Sequence, residues 1–340
     1  MNKALTNKIV TGTLLATTCL LTTSAMAETE QPTLTVYTYE SFAASWGPGP
    51  KVKAEFEKQC GGCTLNYVTL DSGAAMLNRL RLEGKSNKAD IVLGLDNNSI
   101  TEAEKTGLFT PSHADLSKLD LPIKWDNQTF IPYDYGYFSF IYNSEKMKTP
   151  PASFAELLSK DNDYSIIYQD PRTSSVGQGL LLWIESIYGD QAPQAWQQIA
   201  DKTVTVTKGW SEAYNMFLKG ESDFVLSYTT SPAYHIIDEQ DDKYKETTFT
   251  EGNYMQIETV AKVAGTKQSK LADQFINFVL TNDFQQYIPT GNWMYPATDA
   301  PLPKEFDQLV TPSKPLLLDS EKIANSRKQW VRQWQQAVSQ

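Results

Sequence analysis

The stretch Thr203–Ile237, TVTVTKGWSEAYNMFLKGESDFVLSYTTSPAYHII, sets out two strand-to-helix units in a row and so limits the chain to few architectures. TVTVT alternates β-branched residues as a strand does, KGW breaks the run, and Ser211 with Glu212 opens a helix whose Ala213, Met216 and Phe217 share one face. After the turn at GES, the short apolar run DFVLSY has the character of a buried strand. Thr229, Thr230 and Ser231 then precede Pro232, a residue suited to the first turn of a helix. Strand and helix in alternation predict an α/β chain with a mostly parallel sheet, in which ligands sit beyond the carboxyl ends of the strands. Trp210, Tyr228 and the Thr-Thr-Ser triplet fall at those ends.

A chain of 340 residues, 41% apolar and 21% charged, has room for two domains of about 150 residues each. Its net charge of −10 is the wrong sign for nucleic acid and leaves a cationic small molecule unopposed. The first residues carry Lys3 and Lys8, an apolar run from Ile9 to Leu21 and the small-x-small sequence Ala25-Met26-Ala27. Together they predict a cleaved secretory signal over residues 1–27. The run is too short and too rich in Thr for a membrane span, which takes about 20 apolar residues. Loss of the two lysines takes the charge from −10 to −12.

Cys19 leaves with the signal, so Cys60 and Cys63 remain, as CGGC. KVKAEFEKQ reads as a helix that ends at this pair, where the helix dipole has the wrong sign to activate a thiolate. A short structural disulfide is therefore expected in preference to redox chemistry or a free or metal-binding pair. Closing so small a loop should contribute only toward the low end of the ~2–4 kcal/mol typical of disulfides.

Taken in order, LTVYTYESF, a helix at Lys51–Gln59 and TLNYVTL give a first βαβ unit. Asp71 or Ser72 then caps AAMLNRLRLEG, which Gly84 ends. Ser99 three residues before Glu102 has capping-box spacing. FIPYDYGYFSFIYN is too long and two-sided for a small edge strand and is read as a crossover between two lobes; NYMQIETVAKVAG is read as the return. The expected organisation is residues 28–134 with 255–340 as a discontinuous first lobe and 135–254 as the second, each a mostly parallel sheet flanked by helices.

Three turns, Asp71-Ser72-Gly73, Ser174-Ser175 and Thr229-Thr230-Ser231, each join a strand to a helix through small hydroxyl residues. One such turn is an ordinary helix cap. Three in the same topological position point to an anion-friendly ligand site. Tyr39, Trp46, Trp210, Tyr228, Tyr234, Trp293 and Tyr295 fall in loops where core packing does not ask for them, and rings lining a cleft stack on flat heterocycles and attract cations. Trp183, Trp196, Trp330 and Trp334 lie on helical patterns and are assigned to packing. His113 and His235 lack ligand spacing and are assigned to the surface. No nucleophile elbow, zinc helix or glycine-rich nucleotide loop is present, so no catalytic residue and no metal is expected.

The segments LTVYTYESFAASWGPGP, ADIVLGLDNN, YQDPRTSS, TVTVTKGWSEAY, LKGESDFVLSYTTSPAYH and PTGNWMYP resemble those of the periplasmic thiamine-binding proteins that feed an ATP-binding cassette importer. The resemblance implies a two-lobed type II periplasmic binding protein fold, related to thiaminase I, which closes on thiamine, thiamine monophosphate or thiamine diphosphate. It implies ligand contacts from Ser72, Gly73, Ser174, Ser175, Trp210 and Tyr228 to Ser231, with Tyr39, Trp46, Tyr234 and Trp293 lining the same cleft. One departure is DSG at the first turn, where that group often has an acidic pair before Gly; this leaves Ser72 a backbone contact. The implied protein is a monomeric periplasmic receptor without a cofactor, whose partners are the small ligand and an inner-membrane permease. The rivals are a thiaminase-like transferase and a receptor for ferric ion or polyamine, the former prompted by the fold relationship and the cysteines, the ferric reading by the tyrosines of YDYGY.

Overall fold

The computed structural model describes residues 31–339; the expected signal, residues 1–27, lies outside the described residues. Eight strands carry the architecture: β1 (Thr33–Tyr39), β2 (Thr64–Leu70), β3 (Ile91–Asp96), β4 (Phe130–Asn143), β5 (Ile166–Gln169), β6 (Thr203–Thr207), β7 (Phe224–Tyr228) and β8 (Asn253–Val263). Their order across the sheet is β2-β1-β3-β8-β4-β7-β5-β6. β1 runs parallel to β2 and β3 at one end, and β5 runs parallel to β6 and β7 at the other. Between these parallel halves, β8 and β4 are antiparallel to each other and to the strands beside them.

β4 has 14 residues, which at about 3.3 Å each reach some 45 Å. Its residues 130–137 pair with β8 and its residues 138–142 with β7, so one strand belongs to both halves, as the length of FIPYDYGYFSFIYN predicted. β8 is buried along all of its 11 residues, and it also stays in the middle of the sheet.

The seven longest helices among the described residues cover the sheet: α1 (Gly49–Gln59), α2 (Gly73–Glu83), α3 (Ser175–Tyr188), α4 (Ala192–Lys202), α5 (Trp210–Leu218), α6 (Ser269–Val279) and α7 (Ser320–Val338). Two large apolar cores result. The first packs Val36, Phe56, Met76, Ile91, Phe275 and Phe284; the second packs Phe138, Phe140, Leu180, Trp183, Trp196 and Phe224. Trp183, Trp196, Trp330 and Trp334 are all buried in the second, in line with their helical spacing.

α7 shows where local reading stops. Its apolar stripe, Ile323, Trp330, Trp334 and Ala337, is spaced for one face and buries in the second core, although residues 255–340 were assigned to the first lobe. The Trp334 indole N–H donates to the Tyr168 hydroxyl at 3.0 Å. Arg327 on the same helix reaches the other way, donating to the Asn98 carbonyl and pairing with Glu102 at 3.5 Å. The expected capping box at Ser99 is not formed. Ser99 donates instead to the Asp96 carbonyl at 2.8 Å, and Glu102 is drawn off by Arg81 at 2.6 Å and by Arg327, because two guanidinium groups outweigh one backbone N–H for a carboxylate.

Cys60 and Cys63 form the expected disulfide, with Cα atoms 5.6 Å apart. The turn between them needs φ of +70° at Gly61 and +104° at Gly62, values a side chain would resist.

Candidate functional site

A cavity of about 500 Å³ opens between the two halves at the carboxyl ends of β1, β5 and β7. Tyr39, Trp46, Ser72, Gly73, Ser174 and Ser175 line it, as do Trp210, Tyr228, Ser231, Tyr234 and Trp293. The sequence assignment thus brings eleven residues from distant segments to one hollow. Thr229 and Thr230 do not reach it. Both are fully buried beneath its wall: the Thr229 N–H donates to the Tyr137 carbonyl at 2.9 Å, and Thr230 packs on Met294. The helix that follows them starts at Pro232–Tyr234 and widens into a π-type turn over His235–Glu239. Tyr295 also turns away and stacks on Tyr135 at 5.3 Å.

The aromatic wall is held from behind. Trp210 is the first residue of α5; its indole N–H donates to Ser227 at 2.8 Å and its ring stacks on Tyr214 at 4.9 Å. The Tyr214 hydroxyl meets His235 Nε2 at 2.9 Å, and His235 Nδ1 meets Glu239 at 2.6 Å. His235 is therefore not at the surface as expected but fully buried, and burial lowers its pKa. The Tyr228 ring lies on Phe138 at 5.1 Å while its hydroxyl donates to Gln256 at 2.7 Å. Trp293 adopts φ of +56° at the end of a wide turn, which sets its ring edge-on against Tyr234 at 5.3 Å. A backbone angle that costs energy at a cleft residue marks a position under functional constraint. Trp46 stands at the mouth, 52% exposed.

The helix starts are occupied by one another. Ser72 caps α2, accepting from the Ala75 N–H at 3.2 Å, and donates across the cleft to the Thr173 carbonyl at 2.5 Å. Ser174 caps α3, and Ser175 accepts from the Ala74 N–H at 3.0 Å, again across the cleft. Gly73 permits this approach: a Cβ there would lie 2.1 Å from the Gly94 carbonyl oxygen and 3.0 Å from Ser175 Oγ. Lys208 adds an ion pair with Asp71 at 2.8 Å.

The cavity floor was missed from sequence. Glu258, in the middle of β8, accepts from the hydroxyls of Tyr39 at 2.7 Å and Tyr133 at 3.0 Å, and Asn292 bridges Glu258 and Asp134. A signal existed: in NYMQIETV, Gln256 and Glu258 alternate with apolar residues, so two polar side chains share one face of an otherwise buried strand. Burial lifts the Glu258 pKa to about 7, and burial with the neighbouring Glu258 charge holds Asp134 well above the usual carboxyl range. Glu40, Asp71 and Asp238 also line the cavity, and no lysine or arginine is among its lining residues. An acidic floor under aromatic walls favours a flat cation.

A cavity between two half-sheets, joined by strands that serve both, is the architecture of a receptor that folds around a small solute. The family described as bacterial extracellular solute-binding proteins matches residues 47–286. A thiamine-binding periplasmic protein of Escherichia coli K12 is 55% identical over 309 residues, covering 91% of this chain and 94% of the relative. A thiamine-binding periplasmic protein of Brucella suis is 50% identical over 317 residues, 93% and 95% of the two chains. The solved structure of a periplasmic thiamin binding protein superposes with a TM-score of 0.89 at 55% identity, covering 91% of this chain and 97% of that one. The chain belongs to the bacterial extracellular solute-binding protein family and, within it, to the thiamine-binding periplasmic proteins.

Proposed function

We propose that the protein is a periplasmic receptor that captures thiamine, or its mono- or diphosphate, between its two halves and delivers it as a monomer to an ABC importer. The observation that carries this reading is the convergence of Trp210, Tyr228 and Ser174, from separate elements, on one acidic cavity free of basic side chains. Thiamine has a permanently positive thiazolium ring and a flat pyrimidine, which the rings of Trp210, Tyr228, Tyr234 and Trp293 would stack on, with Glu258 as the nearby negative charge. A phosphate tail would lie beside the starts of α2 and α3, where the hydroxyls of Ser72, Ser174 and Ser175 now hold the first helix N–H groups and would turn from them to the anion. Contacts from both halves make the closed form the one ligand selects, and the permease would read that form.

Binding without chemistry is supported by the cysteines: Cys60 and Cys63 are tied in a disulfide and are not among the cavity's lining residues, so no thiolate faces the ligand. The ferric alternative is not favoured: the paired hydroxyls of Tyr39 and Tyr133 are both spent as donors to Glu258, burial holds them protonated, and Tyr135 stacks on Tyr295. Among the described residues no cluster of three or more His, Cys, Asp or Glu could hold a metal ion. Native mass spectrometry of freshly purified protein is expected to find thiamine or a thiamine phosphate. Incubation with thiamine and a nucleophile is expected to yield no pyrimidine adduct; turnover would replace the receptor with a transferase.

A further inference from the structure

Two carboxyl groups lie together at the cavity floor, Glu258 lining it and Asp134 buried behind. Asp134 on β4 and Glu258 on β8 are direct Cα partners in the antiparallel ladder, and the register shifts immediately after Glu258, a bulge that turns the strand at this point. Asp134 is fully buried; its Oδ2 accepts from Asn292 at 2.5 Å, while its Oδ1 meets no donor. Glu258 is 7% exposed, and its three donors, Tyr39 at 2.7 Å, Tyr133 at 3.0 Å and Asn292 at 3.3 Å, all end on Oε2. None of them takes Oε1. The other titratable groups facing the pair are Asp96 from β3 and the Tyr228 hydroxyl from β7, so the neighbourhood adds negative charge; Arg327 lies beside Asp96. Two buried carboxylates with no cation between them cannot both stay ionised.

We propose that Asp134 keeps a proton and that Glu258 exchanges its own proton for the cationic ring of the ligand, so that each binding event expels a proton from the cavity floor. The inference rests on the thiamine reading. In the empty cleft the Glu258 O–H is intact. When the cation settles over Oε1, that O–H bond breaks, the electron pair remains on the carboxylate and the proton passes to water or a buffer base. Charge is exchanged for charge, so the cleft closes without burying a net excess of either sign. The Glu258 pKa of about 7 puts this exchange within reach of ordinary conditions. Because binding favours the ionised form, affinity should rise with pH up to about 7 and level off above it.

The test is calorimetry of thiamine binding in buffers of different ionisation enthalpy, from pH 6 to 8.5. The native protein should release close to one proton per thiamine at pH 6 and almost none at pH 8.5, with affinity rising by up to about tenfold per pH unit below neutrality. E258Q should lose both the release and the pH slope; the difference from native cancels any proton belonging to the ligand. D134N, an amide standing in for a protonated acid, should still release a proton. Infrared spectra of the empty protein should show a protonated-carboxyl band at pH 6 from both groups, which E258Q reduces to the share of Asp134, a readout needing no ligand. Absence of that band, absence of release at pH 6, or undiminished release in E258Q would overturn the proposal. Thiamine that gives no binding heat at any pH, with the band present, would sink the ligand reading alone.

Discussion

The floor and the walls of the cleft are made by opposite means. The floor comes from the sheet, where Tyr39 at the end of β1 and Tyr133, Asp134 and Glu258 within β4 and β8 are locked by short hydrogen bonds between elements far apart in sequence. The walls and mouth come from helix starts and loops, where Ser174, Trp210 and Trp293 line the cavity and Trp46 stands exposed. Burying like charges costs stability, whereas a partly exposed ring costs little until ligand covers it. On the proposed reading the floor answers to the charge of the ligand and the walls to its shape, and of the two only the floor is held against a folding penalty.

Four experiments bear on this contrast. The largest effect concerns the penalty at the floor. The Glu258 pKa is raised on folding, so its contribution to stability is greatest at low pH and is lost as pH rises from the unfolded carboxyl range through about 7. E258Q should therefore gain on the native protein by roughly 2 to 3 kcal/mol between pH 5 and pH 8 in urea unfolding. Buried His235, whose own pKa is lowered, is common to both proteins and cancels. A constant difference across that range would mean the floor carries no such penalty.

Next comes the meeting of the two halves. A methyl group at residue 73 would collide with the Gly94 carbonyl, so Gly73→Ala should push the start of α2 off Ser175. Overpacking of this kind costs about 1–3 kcal/mol, which should appear as roughly a ten- to hundredfold loss of thiamine affinity. Unchanged affinity would show that the helix starts need not touch.

The wall is probed by Trp210→Ala, which removes the ring, its stack on Tyr214 and the bond to Ser227. Thiamine affinity should fall at least about tenfold by calorimetry, or about 1.4 kcal/mol. A twofold change would transfer recognition from the walls to the floor. The smallest effect belongs to Lys208→Ala at the mouth: its pair with Asp71 is exposed, so the loss of affinity should be slight and should vanish in high salt. A large loss persisting in salt would make the mouth a third determinant.

Much of the fold was readable from residue order alone. Alternating β-branched runs, small capping residues and the length of FIPYDYGYFSFIYN are local signals, and local signals determine which segments become strands and helices and which strand must cross between halves. The same holds for the disulfide, whose partners lie three residues apart, and for the rings of Trp210 and Tyr228, which strand ends deliver to the cleft. Direction and pairing are another matter. Whether α7 packs on one core or the other, whether Thr229 and Thr230 face the cavity, and whether Asp134 comes to lie opposite Glu258 depend on contacts between segments up to more than a hundred residues apart. A one-residue change of register would send Glu258 to the opposite face of the sheet, so its place on the floor is a property of the assembled β4–β8 ladder rather than of either strand.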